Sequence, residues 1–96
     1  MSDLVQVEDF RPRTIASGEK IVVDLLYTAD DAGFIVVNEG THFDCVPGKI
    51  PVKEGLDLRK SVAITINRQP NASNKECAIM FTLGVSSFSI LVGIKK

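Results

Sequence analysis

The sequence predicts a single all-β domain, two sheets packed as a sandwich, on three observations. No apolar pattern of helical period persists anywhere along the chain. Short stretches instead alternate apolar and polar residues at period two, as strands with one buried face do. Clusters of Gly, Pro, Asn and Asp punctuate these stretches at short, regular spacing, which is the signature of a sandwich or barrel. The 96 residues suffice for one domain with one core. No repeat, low-complexity tract or linker divides them, so the expected domain is 1–96.

The first strand is expected within Leu4 to Phe10, closed by Pro12, which cannot donate to a sheet ladder. Ser17-Gly18 is a turn. Ile21 to Thr28 is the clearest strand, with Ile21, Val23, Leu25 and Tyr27 facing the core and Val22, Asp24, Leu26 and Thr28 facing out. Ala29-Asp30-Asp31-Ala32-Gly33 is a turn rich in residues that tolerate special backbone angles. Phe34 to Val37 is a short continuous apolar strand, and Thr41 to Val46 a less regular one. Pro47-Gly48 breaks the chain, Lys49 to Lys53 forms an edge strand, and Glu54-Gly55 turns again.

Ser61 to Asn67 points Val62, Ile64 and Ile66 to one side. Gln69 to Lys75 is a polar loop. Cys77 to Leu83 directs Cys77, Ile79, Phe81 and Leu83 inward. Gly84-Val85 makes a tight hairpin turn into Ser87 to Ile94, whose inward residues are Phe88, Ile90, Val92 and Ile94. About seven short strands in a chain of this length is the count of an immunoglobulin-like sandwich. In that topology the third, sixth and seventh strands share a sheet.

Composition removes several functions. Eleven basic and twelve acidic side chains leave a net charge of −1. Nucleic-acid binding needs a basic stripe facing phosphates, and membrane-surface binding needs a polybasic cluster, so neither is expected. No apolar run approaches the ~20 residues that span a bilayer. The N-terminus Met1-Ser2-Asp3-Leu4 has neither a basic nor an apolar leader region. If the 96 residues are the whole protein, a cytoplasmic or virion-associated location is expected. The two cysteines, Cys45 and Cys77, have neither the spacing of a redox motif nor that of a zinc site. Both fall on the apolar side of their segments, and two reduced, shielded thiols are expected.

His42-Phe43-Asp44-Cys45 carries the residue types of a nucleophilic site, since a reactive Cys needs a base within reach. In an extended segment, however, His42 and Asp44 share one face and Phe43 and Cys45 the other. Asp30-Asp31 supplies too few oxygens for calcium, which takes six to eight. Asn71-Ala72-Ser73 is a glycosylation sequon on a surface loop. Phosphate-binding loops, a GxSxG elbow and paired carboxylates are missing from the sequence. No metal or cofactor is expected, and the chain is not expected to be an enzyme.

The outward faces are more informative. From Cys77 to Ile94 there is no Lys, Arg, Asp or Glu. Met80 and Leu91, with Ile35 or Val37 beside them, are expected to form an apolar outer face of one sheet, a surface suited to a protein partner or a second copy.

Three stretches resemble the immunoglobulin-like repeat domains of bacterial and phage surface proteins. They are Gly18 ahead of the strand Ile21 to Thr28, the turn Ala32-Gly33 into Phe34-Ile35-Val36-Val37, and Val46-Pro47-Gly48-Lys49-Ile50-Pro51-Val52-Lys53-Glu54-Gly55 before the strand around Ile64. The resemblance spans Ser17 to Ile94. It departs from antibody-type domains in having no Trp and no cysteine in Ile21 to Thr28. It implies an immunoglobulin-like sandwich without catalytic residues: a non-enzymatic interaction or structural module, in a phage particle or a bacterial surface assembly. The alternative from the residues is a small enzyme or ligand-binding protein using the His42/Cys45 region.

Overall fold

A computed structural model describes residues 2–95, and Met1 and Lys96 of the expected domain lie outside the described residues. The chain is all-β, with nine strands among the described residues rather than about seven. These are β1 (Leu4–Arg11), β2 (Thr14–Ala16), β3 (Lys20–Ala29), β4 (Gly33–Asn38), β5 (Phe43–Val46), β6 (Lys49–Val52), β7 (Gly55–Arg68), β8 (Glu76–Leu83) and β9 (Ser86–Lys95). They form a four-stranded sheet in the order β1-β3-β7-β5 and a five-stranded sheet in the order β2-β9-β8-β4-β6. All neighbours run antiparallel except β2 and β9, which pair in parallel.

Period-two alternation makes the core. Ile21, Val23, Leu25 and Tyr27 of β3, with Ile64 and Ile66 of β7, face Ile79, Phe81 and Leu83 of β8 and Ile90, Val92 and Ile94 of β9. Ile15, Ile35, Val37, Phe43, Ile50 and Val52 fill the periphery. Every one of these side chains is buried. Each interior strand thus presents one apolar row to the opposite sheet, and burying those rows is the main driving force for the fold.

Two irregularities keep the rows aligned. In β1, Val5 and Val7 sit opposite Tyr27 and Leu25, whereas Asp9 and Phe10 sit opposite Asp24 and Val23. Glu8 is the extra residue of a bulge, and it lets both Val5 and Phe10 point inward. Between Tyr27/Leu58 and Ala29/Gly55 the longer β7 advances three residues against two. Asp57, there in the left-handed region at φ 49°, donates its amide to the Thr28 hydroxyl at 3.0 Å. Thr28, expected on the outer face, is consequently buried, and Ala29 with it belongs to the strand rather than the turn.

Other expectations also change. β7 runs for 14 residues and begins at Gly55, not Ser61, because Leu56 to Lys60 extend the pairing with β3. Phe88 follows the inward parity of β9 but is 36% exposed. It lines a groove with Val7 and Phe10 of β1 from the opposite sheet, which leaves its ring partly open to solvent. In β4 it is Ile35 and Val37 that face the core, at 0% and 5% exposure, and Phe34 and Val36 that face out. Sheet edges are kept unattractive for strand addition. β2, β5 and β6 are short, β6 carries Pro51, and β1 is bulged.

Candidate contact face

The outer faces of the two sheets differ in kind. On the four-stranded sheet, Arg11 reaches Asp24 at 2.8 Å and Asp9 at 3.4 Å, Arg13 reaches Asp9 at 3.3 Å, and Arg59 reaches Glu8 at 3.0 Å. Ser61 donates its hydroxyl to Asp24 at 2.6 Å. Arg11 and Ser61 together hold the Asp24 carboxyl below the usual carboxylate range, with the Ser61 hydrogen bond the larger cause. This face is charged and internally paired.

The outer face of the five-stranded sheet is apolar. β8 turns Ala78, Met80 and Thr82 outward, β9 turns Ser87, Ser89 and Leu91, and β4 turns Phe34 and Val36. The ladders place Leu91 opposite Ala78, Met80 opposite Asn38 and Ser89, and Val36 opposite Thr82. Leu91, Met80, Val36 and Phe34 therefore follow one another diagonally across three neighbouring strands, each within reach of the next. Their exposures are 53%, 41%, 44% and 54%. Small hydroxyls flank the stripe, with Thr82 and Ser87 3.2 Å apart. Lys49 of β6 shares this face, opposite Val36, with its ammonium 5.6 Å from the centre of the Phe34 ring.

Met80 and Leu91 are exposed side by side on this face as expected, and β4, β8 and β9 share its sheet. Ile35 and Val37 are not part of it. The rest of the stripe, Phe34 and Val36, escaped sequence reasoning because a continuous apolar run gives no parity signal. Nor does the segment ahead of Ile21 cover the face: β1 lies in the other sheet, and β2 extends the edge of this one beyond β9.

The other candidates do not assemble. His42 is exposed just ahead of β5, while Phe43 and Cys45 point into the core. Base and thiol are thus on opposite sides of the strand. Cys45 instead shares the core cluster with Cys77, which arrives from β8 in the opposite sheet. The hydrogen bond between the thiols, and then burial, push the Cys45 thiol up, away from a reactive thiolate. Asp30 donates its amide to the Asp3 carboxylate at 2.9 Å, which accounts for the turn without a ligand. Among the described residues no group of three or more His, Cys, Asp or Glu could hold a metal ion. No helix there is long and apolar enough to cross a membrane. Comparison with known proteins finds no matching family model, no matching curated protein and no matching solved structure.

Proposed function

We propose that this chain is a non-enzymatic protein-contact domain of immunoglobulin-like architecture, using the outer face of the β2-β9-β8-β4-β6 sheet. The observation that carries the reading is the uncharged diagonal stripe of Leu91, Met80, Val36 and Phe34. Soluble domains usually interrupt an exposed sheet face with charge. One outer face is laced with ion pairs, whereas the charges on the other, Glu76, Lys95 and Lys49, stand at strand ends and on an edge strand and leave its centre uncharged. Covering the stripe returns roughly 25 cal/mol per Å² of apolar area before the costs of association.

The strand order supports the architecture. If β1, β3, β4, β5, β7, β8 and β9 are lettered A to G, the sheets contain A-B-E-D and G-F-C, the constant-type arrangement. The short strands β2 and β6 are then additions at the two edges of the second sheet. The chain visits β5 before β6, so it crosses between sheets and back on the way to β7. The partner is a protein surface, a second copy of this chain included. The resemblance noted above would put such a module in a phage particle or a bacterial surface assembly.

The test is the double variant Met80→Glu, Leu91→Lys, with the fold checked by circular dichroism. The parent is expected to associate in sedimentation equilibrium, or to retain a crosslinked partner, and the variant to lose that association. Equal association by both places the interface elsewhere. A parent that stays monomeric at its highest soluble concentration, with no partner that the variant loses, overturns the proposal.

A further inference from the structure

One stretch of sheet edge is left without a neighbour strand. β2 pairs only with Gly93, Ile94 and Lys95, so Ser87 to Leu91 of β9 have a strand beside them on the β8 side alone. The direction of their backbone groups follows from the residues next to them. The Gly93 amide points to the β2 side and donates to the Arg13 carbonyl at 2.9 Å, whereas the Ile94 amide points to the β8 side and donates to the Lys75 carbonyl at 2.7 Å. The β8–β9 ladder runs without a register shift. Direction alternates along such a strand, so the N–H and C=O groups of Ser87, Ser89 and Leu91 face the open edge. Among the described residues, no backbone group outside the β8 ladder bonds to them.

This edge also lacks the devices that discourage strand addition. From Ser86 to Ile94 the strand has no charged residue, no proline and no bulge. A groove of about 380 Å³ runs beside it, lined by Phe88, Ile90 and Leu91 of β9 and by Val7, Phe10 and Arg13. Phe88 and Leu91 remain partly exposed there. Charge gathers instead at the two ends of the stretch, with opposite signs. At the hairpin end, Asp3 packs against Gly84 and accepts the Asp30 amide. At the Gly93 end, Arg13, Arg68, Lys75 and Lys95 outnumber Glu76 and Asp9.

We propose that this edge joins two copies of the chain, β9 against β9, antiparallel about a twofold axis at Ser89. Ser89 then faces Ser89 of the second copy, and Ser87 faces the second copy's Leu91. Each residue exchanges both backbone bonds with the one opposite, because all of them direct N–H and C=O to the edge. The residues between them form the closer pairs of the ladder. Phe88 comes opposite the second copy's Ile90, which covers the ring that a single chain leaves partly open. The twofold also lays the basic end of each strand on the acidic end of the other, with Arg13 toward the second copy's Asp3. That complementarity of charge singles out a second copy over an unrelated extended segment. The two five-stranded sheets become one continuous sheet. The inference is independent of the outer-face reading, since it uses the backbone of the edge and not the stripe across β4, β8 and β9.

Sedimentation equilibrium and amide exchange on the whole chain test this. The parent is expected to dimerise. As its concentration rises, the amides of Ser87, Ser89 and Leu91 should gain protection, while those of Phe88 and Ile90, already directed to β8, should not change. Ser89→Pro removes an amide that the β8 ladder does not use, so the fold should hold. Its dimer dissociation constant should rise roughly 30-fold or more, from the lost bonds between the two Ser89 residues. Ser89→Ala and Met80→Glu should dimerise like the parent. Arg13→Glu should weaken the dimer, and Asp3→Lys added to it should restore the affinity. A parent that stays monomeric at its highest soluble concentration overturns the proposal, even if it captures another protein. So does a dimer whose protection does not alternate along 87–91, or one that Ser89→Pro leaves intact. A dimer lost with Met80→Glu and kept with Ser89→Pro puts the contact on the outer face and overturns the edge pairing.

Discussion

Asp24 lies outside the core, in the middle of β3, yet two partners fix it: the Ser61 hydroxyl at 2.6 Å and the Arg11 guanidinium at 2.8 Å. Both favour its charged form, so its folded-state pKa is lowered. At acid pH the unfolded chain then binds the proton more readily than the folded one, and stability falls with pH. The contribution of this carboxylate is present above the ordinary Asp value and is lost as pH drops through the depressed folded value. Asp24→Asn should therefore lower the urea midpoint at neutral pH, and the gap to the parent should close as pH falls below the ordinary Asp range. A gap that stays constant down to the acid limit would mean that the charge is not what Ser61 and Arg11 hold. At this same scale the sequence was readable only where polar and apolar residues alternate. Met80 and Leu91 sit in alternating strands, and their outward direction was legible. Phe34-Ile35-Val36-Val37 offers no alternation, so the choice of Ile35 or Val37 for the outer face had no physical basis in the run itself. That Cys45 and Cys77 enter one core cluster from opposite sheets was invisible for another reason. Pairing across two sheets is set by topology, and no local pattern encodes it.

Among the elements, the β8–β9 hairpin is the one whose turn the sequence specifies most completely. Leu83 pairs with Ser86, leaving a two-residue loop of Gly84 and Val85. Gly84 takes φ +59°, a conformation that L side chains rarely adopt and that a primed hairpin turn places at its first loop residue. The space is also occupied: a Cβ on Gly84 would collide with the Asp3 carboxylate, which already accepts the Asp30 amide. Gly84→Ala should cost about 1–2 kcal/mol from backbone strain alone, more if Asp3 is displaced. Chemical denaturation measures this, and a loss under about 0.5 kcal/mol would show that the turn relaxes freely. β3, β8 and β9 were legible in the sequence because each buries one face and exposes the other. The first half of β7 was not. Leu56-Asp57-Leu58-Arg59-Lys60 reads as polar and follows Gly55, and it is pairing with β3 that makes it a strand. β2 was missed because three residues carry no period, and only the parallel ladder to β9 defines it. The bulges at Glu8 and near Asp57 are similar. They adjust parity between distant strands, so Thr28 is buried against an alternation that predicts exposure.

Across the whole molecule, the last strand closes what the first strands begin. β9 pairs with β8 on one side and in parallel with β2 on the other, where Thr14, Ile15 and Ala16 meet Gly93, Ile94 and Lys95. The Val5 amide donates to the Ser86 hydroxyl across 81 positions of sequence. Arg68, at the end of β7, reaches the Ile94 and Lys95 carbonyls at 3.4 Å. β9 also brings Ile90, Val92 and Ile94 to the shared core. Contacts of such long sequence separation form late and together, which makes a domain of this size cooperative. Tyr27 is the only tyrosine and there is no tryptophan, so intrinsic fluorescence reports on one buried position of β3. Its transition in urea should coincide with that of far-UV circular dichroism, which reports on all strands. A chain ending at Leu83 should show no cooperative transition by either probe, although it keeps β1 to β8 complete. Without β9, β2 loses its sole sheet partner, and Ile79 and Phe81 lose their cross-strand neighbours Ile90 and Phe88. A truncated chain that still melted cooperatively would show that β1 to β8 hold an independent core. The ninth strand would then be a detachable cover, and the apolar face that it shares with β8 and β4 would exist only when that cover is in place.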